Sequence, residues 1–307
     1  MFPQAGSRFL WQMLYNLLLP VALLGARIAA RRNPKLRETL SGQRTASKRM
    51  QGSLPGRDPA RPLLWFHVAS AGEFLQALPV LERCVASGAQ AVLTVTSVSG
   101  MRWVERRRGE LPVLAADYLP LDTSRNARRL LETLEPAALI FTKYDLWPNL
   151  VWTAASAGVP QFLISATLHA RSWRARSALA RSLYRTLYAP LAGIFAVTED
   201  DAERFLQTCP GHPGVEVVGD TRFDSVLERR DRVAVPPLPP YEDRVGAAKP
   251  QGMVQRNGIV LVIGSSWPPD EACYLPGLLE ALERYPTLRV VLAPHEIDPG
   301  HLVAMEE

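Results

Sequence analysis

Residues 64–74 read LWFHVASAGEF, an apolar run that ends in small residues and then sets Glu73 where a helix would open. In open α/β sheets, ligands gather outside the carboxyl ends of the strands. Ser70 and Gly72 are small enough at such an end to let a substrate approach the backbone. A carboxylate in a first helical turn is stabilised by the helix dipole. Glu73 is therefore expected to be ionised near neutral pH and able to act as general base toward a hydroxyl. The same position also suits a glutamate that only complements the dipole. A second strand end, Lys143-Tyr144-Asp145-Leu146-Trp147-Pro148-Asn149, repeats the geometry. Pro148 fits the first turn of a helix, and Asp145 is either a cap or a second cleft carboxylate. Thr198-Glu199-Asp200-Asp201 has an acid-x-acid spacing that could suggest a metal, but it reads better as a Thr198 cap with acids in the first turn.

Further along, Gly264-Ser265-Ser266 ends a strand, with Asp270-Glu271 before a helix, and Ala293-Pro294-His295-Glu296 ends the next. Small residues beside a helix N-terminus make a candidate phosphate cradle. His295 alone carries little weight, because a lone histidine at a strand end is more often structural. No G-x-G-x-x-G follows any strand-like run, and neither a P-loop nor a G-x-S-x-G elbow is present. The 3 cysteines, Cys84, Cys209 and Cys273, are too far apart for a disulfide framework or a zinc knuckle.

The elements that must hold these residues follow an α/β pattern. Leu63–Ser70, Ala91–Ser97, Ala138–Asp145, Gln161–Leu168, Ile194–Thr198 and Val215–Val218 are short apolar runs suited to strands buried on both faces. Helical stretches such as Leu75–Ala86 and Asn126–Leu134 lie between several of them. The pattern predicts a parallel, helix-covered sheet of the Rossmann-like class. Val233–Tyr241 then reads VAVPPLPPY, a stiff extended linker, and polar sequence runs to Asn257. A second unit begins at Ile259, with strands at Ile259–Ser265 and Arg289–Pro294, a helix at Glu271–Arg284 and another from Asp298. Two strands cannot cover their own faces, so this unit reads as incomplete. A length of 307 residues, with 47% hydrophobic and 21% charged, fits two folded domains and excludes disorder.

Charge is uneven. Arg27–Arg49 carries eight basic residues against Glu38 alone, a net +7, so the rest of the chain sums to 5 − 7 = −2. A nucleic-acid-binding domain would spread basic charge over a folded face, so no nucleic-acid partner is expected. A basic cluster beside an apolar segment suits anionic membrane lipids. That segment, Phe9–Ala26, is 18 residues without a formal charge, with Trp11 and Tyr15 suited to an interface. Positive charge on its C-terminal flank argues against a signal peptide and places the rest on the cytoplasmic side. Gln12 and Asn16 on one helical face, and Pro20 in mid-run, leave open a single span, an interfacial helix or a buried soluble helix. The organisation expected is an anchor over 1–30, a basic linker over 31–61, a first domain over 62–232, a Pro-rich linker over 233–257 and a partial second domain over 258–307.

Six strings in order carry a family resemblance: His67–Glu73, Leu146–Asn149, Val197–Phe205, Val218–Asp224, Gly264–Trp267 and Ala293–Glu296. Together they resemble the 3-deoxy-D-manno-octulosonic acid (Kdo) transferases, membrane-associated lipid A glycosyltransferases. The resemblance implies a GT-B fold, two Rossmann-like domains facing across a cleft. It implies CMP-Kdo as donor, a lipid A precursor as acceptor, inversion at the anomeric carbon, no metal and no cofactor, and residence on the cytoplasmic face of the inner membrane. By the same resemblance, Glu73 is the general base and Asp145 a supporting carboxylate. Ser70, Gly72 and Lys143 belong to the acceptor side, and Gly264, Ser265, Ser266, Pro294 and His295 to the donor side. The chain departs from the family where Lys143 replaces a frequent acid and His295 a frequent arginine. Donor-site loops are expected beyond the equivalent of residue 307. The competing readings are a non-catalytic membrane-bound remnant or acceptor-binding module, and a related glycosyltransferase with another donor.

Overall fold

A computed structural model describes residues 5–52, 54, 56–232, 259–295 and 299–306. The Pro-rich linker lies outside the described residues. The chain divides into two compact units, Met1–Val235 and Pro236–Glu307.

The first unit is built on seven parallel strands: β1 (Leu63–Val68), β2 (Gln90–Val95), β3 (Ala115–Tyr118), β4 (Ala138–Thr142), β5 (Gln161–Ala166), β6 (Gly193–Ala196) and β7 (Val215–Val217). Their order is β3-β2-β1-β4-β5-β6-β7. The chain winds outward from β1 to β3, returns beside β1 as β4, and then winds the other way. The β1/β4 boundary is thus the switch point at which ligands of such sheets bind. Side chains alternate across β1: Leu63 and Trp65 enter one apolar core, and Phe66 and Val68 the other. Helix α3 (Ala71–Ala86) covers β1 with Phe74, Ala77 and Leu81.

Two parts of this unit differ from the sequence expectation. Strand β3 had no place in it, since Ala-Ala-Asp-Tyr lacks the β-branched residues that mark a strand. The segment read as a basic linker contains helix α2 (Pro34–Gly52), docked on the sheet edge. Ala46 and Met50 are fully buried, Arg49 pairs with Asp117 of β3, and Gly42 lies so close to Tyr118 that any Cβ there would collide with its ring. So few apolar contacts leave little periodicity to read.

The N-terminal helix α1 (Ala5–Ala29) also lies against this unit. Trp11 Nε1 donates to Ser182 (3.1 Å), Tyr15 donates to Asp122 (3.0 Å), and Asn16 exchanges bonds with Asn149 (3.1 and 3.0 Å). Arg8 reaches Ser156 on α6 (Pro148–Ser156) at 2.6 Å. The opposite face exposes Leu10, Met13, Leu17, Val21, Leu24 and Ile28.

The second unit contains β8 (Val260–Ser266), α11 (Pro268–Arg284), β9 (Arg289–Pro294) and α12 (Pro299–Glu306). β8 and β9 pair in parallel. Among the described residues they stand alone, and Ile259 and Val262 are 72% and 65% exposed.

Candidate active site

Glu73 sits where β1 hands over to α3. Ser70 caps the helix, its hydroxyl accepting from the Glu73 N–H at 3.4 Å. The Glu73 carboxylate turns back and accepts the Ala69 N–H through Oε2 at 2.6 Å. Among the described residues Oε1 has no hydrogen-bond partner. The residue is only 5% exposed, and burial raises its carboxyl above the ordinary range. The Ala69 bond and the charges of His67 and Lys143 offset part of that rise, while Asp145 adds to it. The helix end alone would keep this carboxyl acidic; desolvation outweighs it, which makes Glu73 a stronger base than its position suggested. Gly72 beside it is open, since an added Cβ would meet only the Ser70 hydroxyl, at 3.8 Å.

Asp145 follows β4 across the switch point. It does not cap α6, whose N-cap is Trp147 with Pro148 at the first turn. Instead, Oδ2 lies 3.0 Å from His67 Nε2, 3.1 Å from Trp147 Nε1 and 3.3 Å from the Thr96 hydroxyl. Burial pushes this carboxyl up, but the bonds from His67, Trp147 and Thr96 more than compensate and hold it below the ordinary range. His67 itself is fully enclosed; its Nδ1 meets Thr94 at 2.9 Å, and Thr94 also accepts from Trp65 (2.8 Å). Two carboxylates on neighbouring strand ends are thus pushed apart, one toward a base and the other toward a fixed charge.

Beneath them, Asp122 anchors the start of α6, accepting from the backbone N–H of Asn149 (3.0 Å) and Leu150 (2.9 Å) and from Tyr15. Burial drives its carboxyl up to about 6 despite these three bonds. Lys143 holds a left-handed backbone, φ 66°, a conformation costly for a side chain without a structural or functional reason.

Thr198 caps α9 (Glu199–Thr208), accepting from the Asp201 N–H at 3.1 Å, with the acids in the first turn. In the second unit, Gly264, Ser265, Ser266, Pro294 and His295 gather at the carboxyl ends of β8 and β9. Ser265 Oγ meets His295 Nδ1 at 2.7 Å, and the His295 ring stacks on Trp267 with centroids 4.3 Å apart. The helix end offers less than the sequence implied. Asp270 and Glu271 lie inside the first turn of α11 rather than before it. Pro268 and Pro269 have no N–H, and those of Asp270 and Glu271 both bond the Trp267 carbonyl. A phosphate here would be held by the Ser265 and His295 side chains rather than by the helix end. Sequence reasoning gave no role to His67, Thr96, Asp122, Trp147 or Trp267; only the first and the last two fell in quoted motifs.

A family model described as 3-deoxy-D-manno-octulosonic-acid transferase (kdotransferase) matches residues 42–225, more than half of the chain and most of the first unit. The chain belongs to the Kdo transferase family. Curated Kdo transferases agree. That of Chlamydophila psittaci is 28% identical over 241 residues, covering 77% of this chain and 52% of its own length. That of Bordetella pertussis is 32% identical over 182 residues, covering 57% and 42%. A probable mitochondrial Kdo transferase of Arabidopsis thaliana is 34% identical over 119 residues, covering 38% and 26%. The chain thus spans about half or less of the length of these relatives. Among solved structures, UDP-GlcNAc 2-epimerase of Neisseria meningitidis superposes with a TM-score of 0.56 at 16% identity, over 80% of this chain and 68% of that one. At that identity the likeness speaks for the fold alone, which is GT-B-type with Rossmann-like units.

Proposed function

We propose that this Kdo transferase family member moves Kdo from CMP-Kdo to a lipid A precursor by one inverting displacement, with Glu73 as general base. The observation that carries the reading is Glu73 itself. It is a buried carboxylate with raised proton affinity, fixed through Oε2 and free at Oε1, at the switch point of the sheet. Oε1 takes the proton of the acceptor hydroxyl as that oxygen attacks the anomeric carbon, and CMP leaves with the electron pair of the broken bond. The centre is a ketose bearing a carboxylate, so the transition state has oxocarbenium character and a modest base suffices. Asp145, held ionised by His67, Trp147 and Thr96, supports that developing positive charge. Ser265 and His295 hold the phosphate of CMP in this reading, which their 2.7 Å hydrogen bond at the strand ends supports.

Helix α1 supports a membrane-surface placement. Its polar side chains Arg8, Trp11, Tyr15 and Asn16 bind the first unit, so the helix lies along that unit and presents its apolar face outward. A helix of this kind rests in the interface rather than crossing the bilayer, and the basic residues of 27–49 would meet anionic headgroups.

The test is transfer from CMP-Kdo, CMP-sialic acid and UDP-sugars to detergent-dispersed lipid A precursor. It is run with the 307-residue chain and with a form extended at its C-terminus by the residues of the Bordetella pertussis relative that follow the matched segment. A Kdo-bearing product from the extended form is expected. Transfer from another nucleotide sugar but none from CMP-Kdo would overturn the proposal.

A further inference from the structure

Three neighbouring strands of the first unit, β1, β4 and β5, end on the same edge of the sheet. Glu73 follows the first. Lys143 and Tyr144 follow the second. Arg174 follows the third, on the short helix α7 (Trp173–Arg176). The Lys143 ammonium lies 5.2 Å from the Tyr144 ring centroid, and the Arg174 guanidinium lies 4.8 Å from the same centroid. Arg174 also stands 5.6 Å from the ring of Tyr184.

Cation–π contact positions a charge without consuming its N–H donors. The donors here are largely unspent. The Lys143 ammonium makes no hydrogen bond or ion pair among the described residues. Arg174 bonds Ser172 through Nε at 3.3 Å and its guanidinium interacts with the buried Tyr188 hydroxyl, but among the described residues no carboxylate pairs with it or with Lys143. The strained backbone of Lys143 keeps its side chain at this edge.

We infer that Lys143, Tyr144 and Arg174 form an oxyanion-binding subsite beside the Glu73 base, which takes a phosphomonoester or sugar carboxylate of a substrate. The inference rests on the transferase reading above and adds what orients the substrate. Guanidinium and ammonium together suit a doubly charged oxyanion, which gains most from two cations with free donors. Occupation would place the sugar ring, and hence its hydroxyl, at a fixed reach from Glu73 Oε1.

The test is calorimetric binding of three ligands to the full chain. These are a soluble bisphosphorylated glucosamine disaccharide, the same disaccharide without phosphate, and CMP-Kdo with CMP as its reference. Binding is compared among the wild type, Lys143→Asn, which tolerates the left-handed backbone, and Arg174→Gln. Circular dichroism verifies folding. If the anion is the acceptor's phosphate, the wild type prefers the phosphorylated disaccharide about tenfold or more, and each variant loses most of that preference. If it is the sugar carboxylate, the variants instead lose the advantage of CMP-Kdo over CMP. Variants that bind every ligand as the wild type does would overturn the subsite while leaving the transferase reading in place. A wild type that binds no disaccharide and no CMP-Kdo would overturn both.

Discussion

The two strand-end sites of this chain are built from similar words and held very differently. In the first unit, Glu73 and Asp145 stand at the carboxyl ends of β1 and β4, inside a sheet of seven strands with a core on each face. In the second, Ser265 and His295 stand at the ends of β8 and β9, a pair whose apolar side chains remain exposed among the described residues. The first site has a buried supporting layer of His67, Thr94 and Trp65, and buried Asp122 fixes the start of α6. Described for the second are Trp267 stacked on His295, with both rings exposed, the Ser265–His295 bond, and one buried bond, from the Ser266 hydroxyl to Glu271 (2.7 Å). A strand-end motif supplies chemistry only to the extent that the layer under it fixes geometry and dielectric. Perturbed proton affinities are accordingly found at Glu73, Asp145 and Asp122.

Native-state hydrogen exchange would break or sharpen this contrast most strongly. Amides of β1 and β4 should exchange about a thousandfold or more slowly than those of β8 and β9, because exchange tracks local opening and burial. Equal protection in both pairs would show the second unit to be as well supported as the first. A smaller effect is expected from Asp122→Ala, which strands two buried N–H groups at the start of α6 and the hydroxyl of Tyr15. Denaturant unfolding should show a loss of about 2–4 kcal/mol, and a loss under about 0.5 kcal/mol would mean that Asp122 is not a pillar of the site.

A pH titration of stability gives the smallest signal. The folded-state carboxyl of Asp122 sits at about 6, above an unfolded value near about 3.9. Between those values the folded state holds more protons, so this contribution is fully present below about pH 4 and lost as pH rises through about 6. Its size is about 3 kcal/mol. Asp122→Asn has no such titration, so the stability difference between wild type and variant should shift by that amount over the window, and a flat difference would contradict the burial of the charge.

How much of this was legible in the sequence depends on range. The handover at Ser70–Glu73 is local, since cap, small residues and carboxylate sit within four positions, and the sequence reading placed it. The Thr198 cap was legible for the same reason. The layer that sets proton affinities is not local: His67 meets Thr94 across 27 positions, and Asp145 across 78. No spacing rule joins them, although His67 lies inside the quoted motif. Helix α2 was misread because its burial rests on Ala46, Met50 and an ion pair rather than on an apolar stripe. At α11 the sequence showed a helix start, but Pro268 and Pro269 remove the very N–H groups that a phosphate would use.

The central claim is that Glu73 is the base, and it is tested most directly by single-turnover transfer of Kdo from CMP-Kdo to lipid A precursor, comparing Glu73 with Glu73→Gln in the C-terminally extended form. Glutamine keeps the size and can still accept the Ala69 N–H, but it cannot take a proton. The account predicts a rate lower by about 10²–10⁴, the usual scale for loss of a general base, with acceptor affinity changed less than about twofold. Turnover near that of the wild type would contradict it.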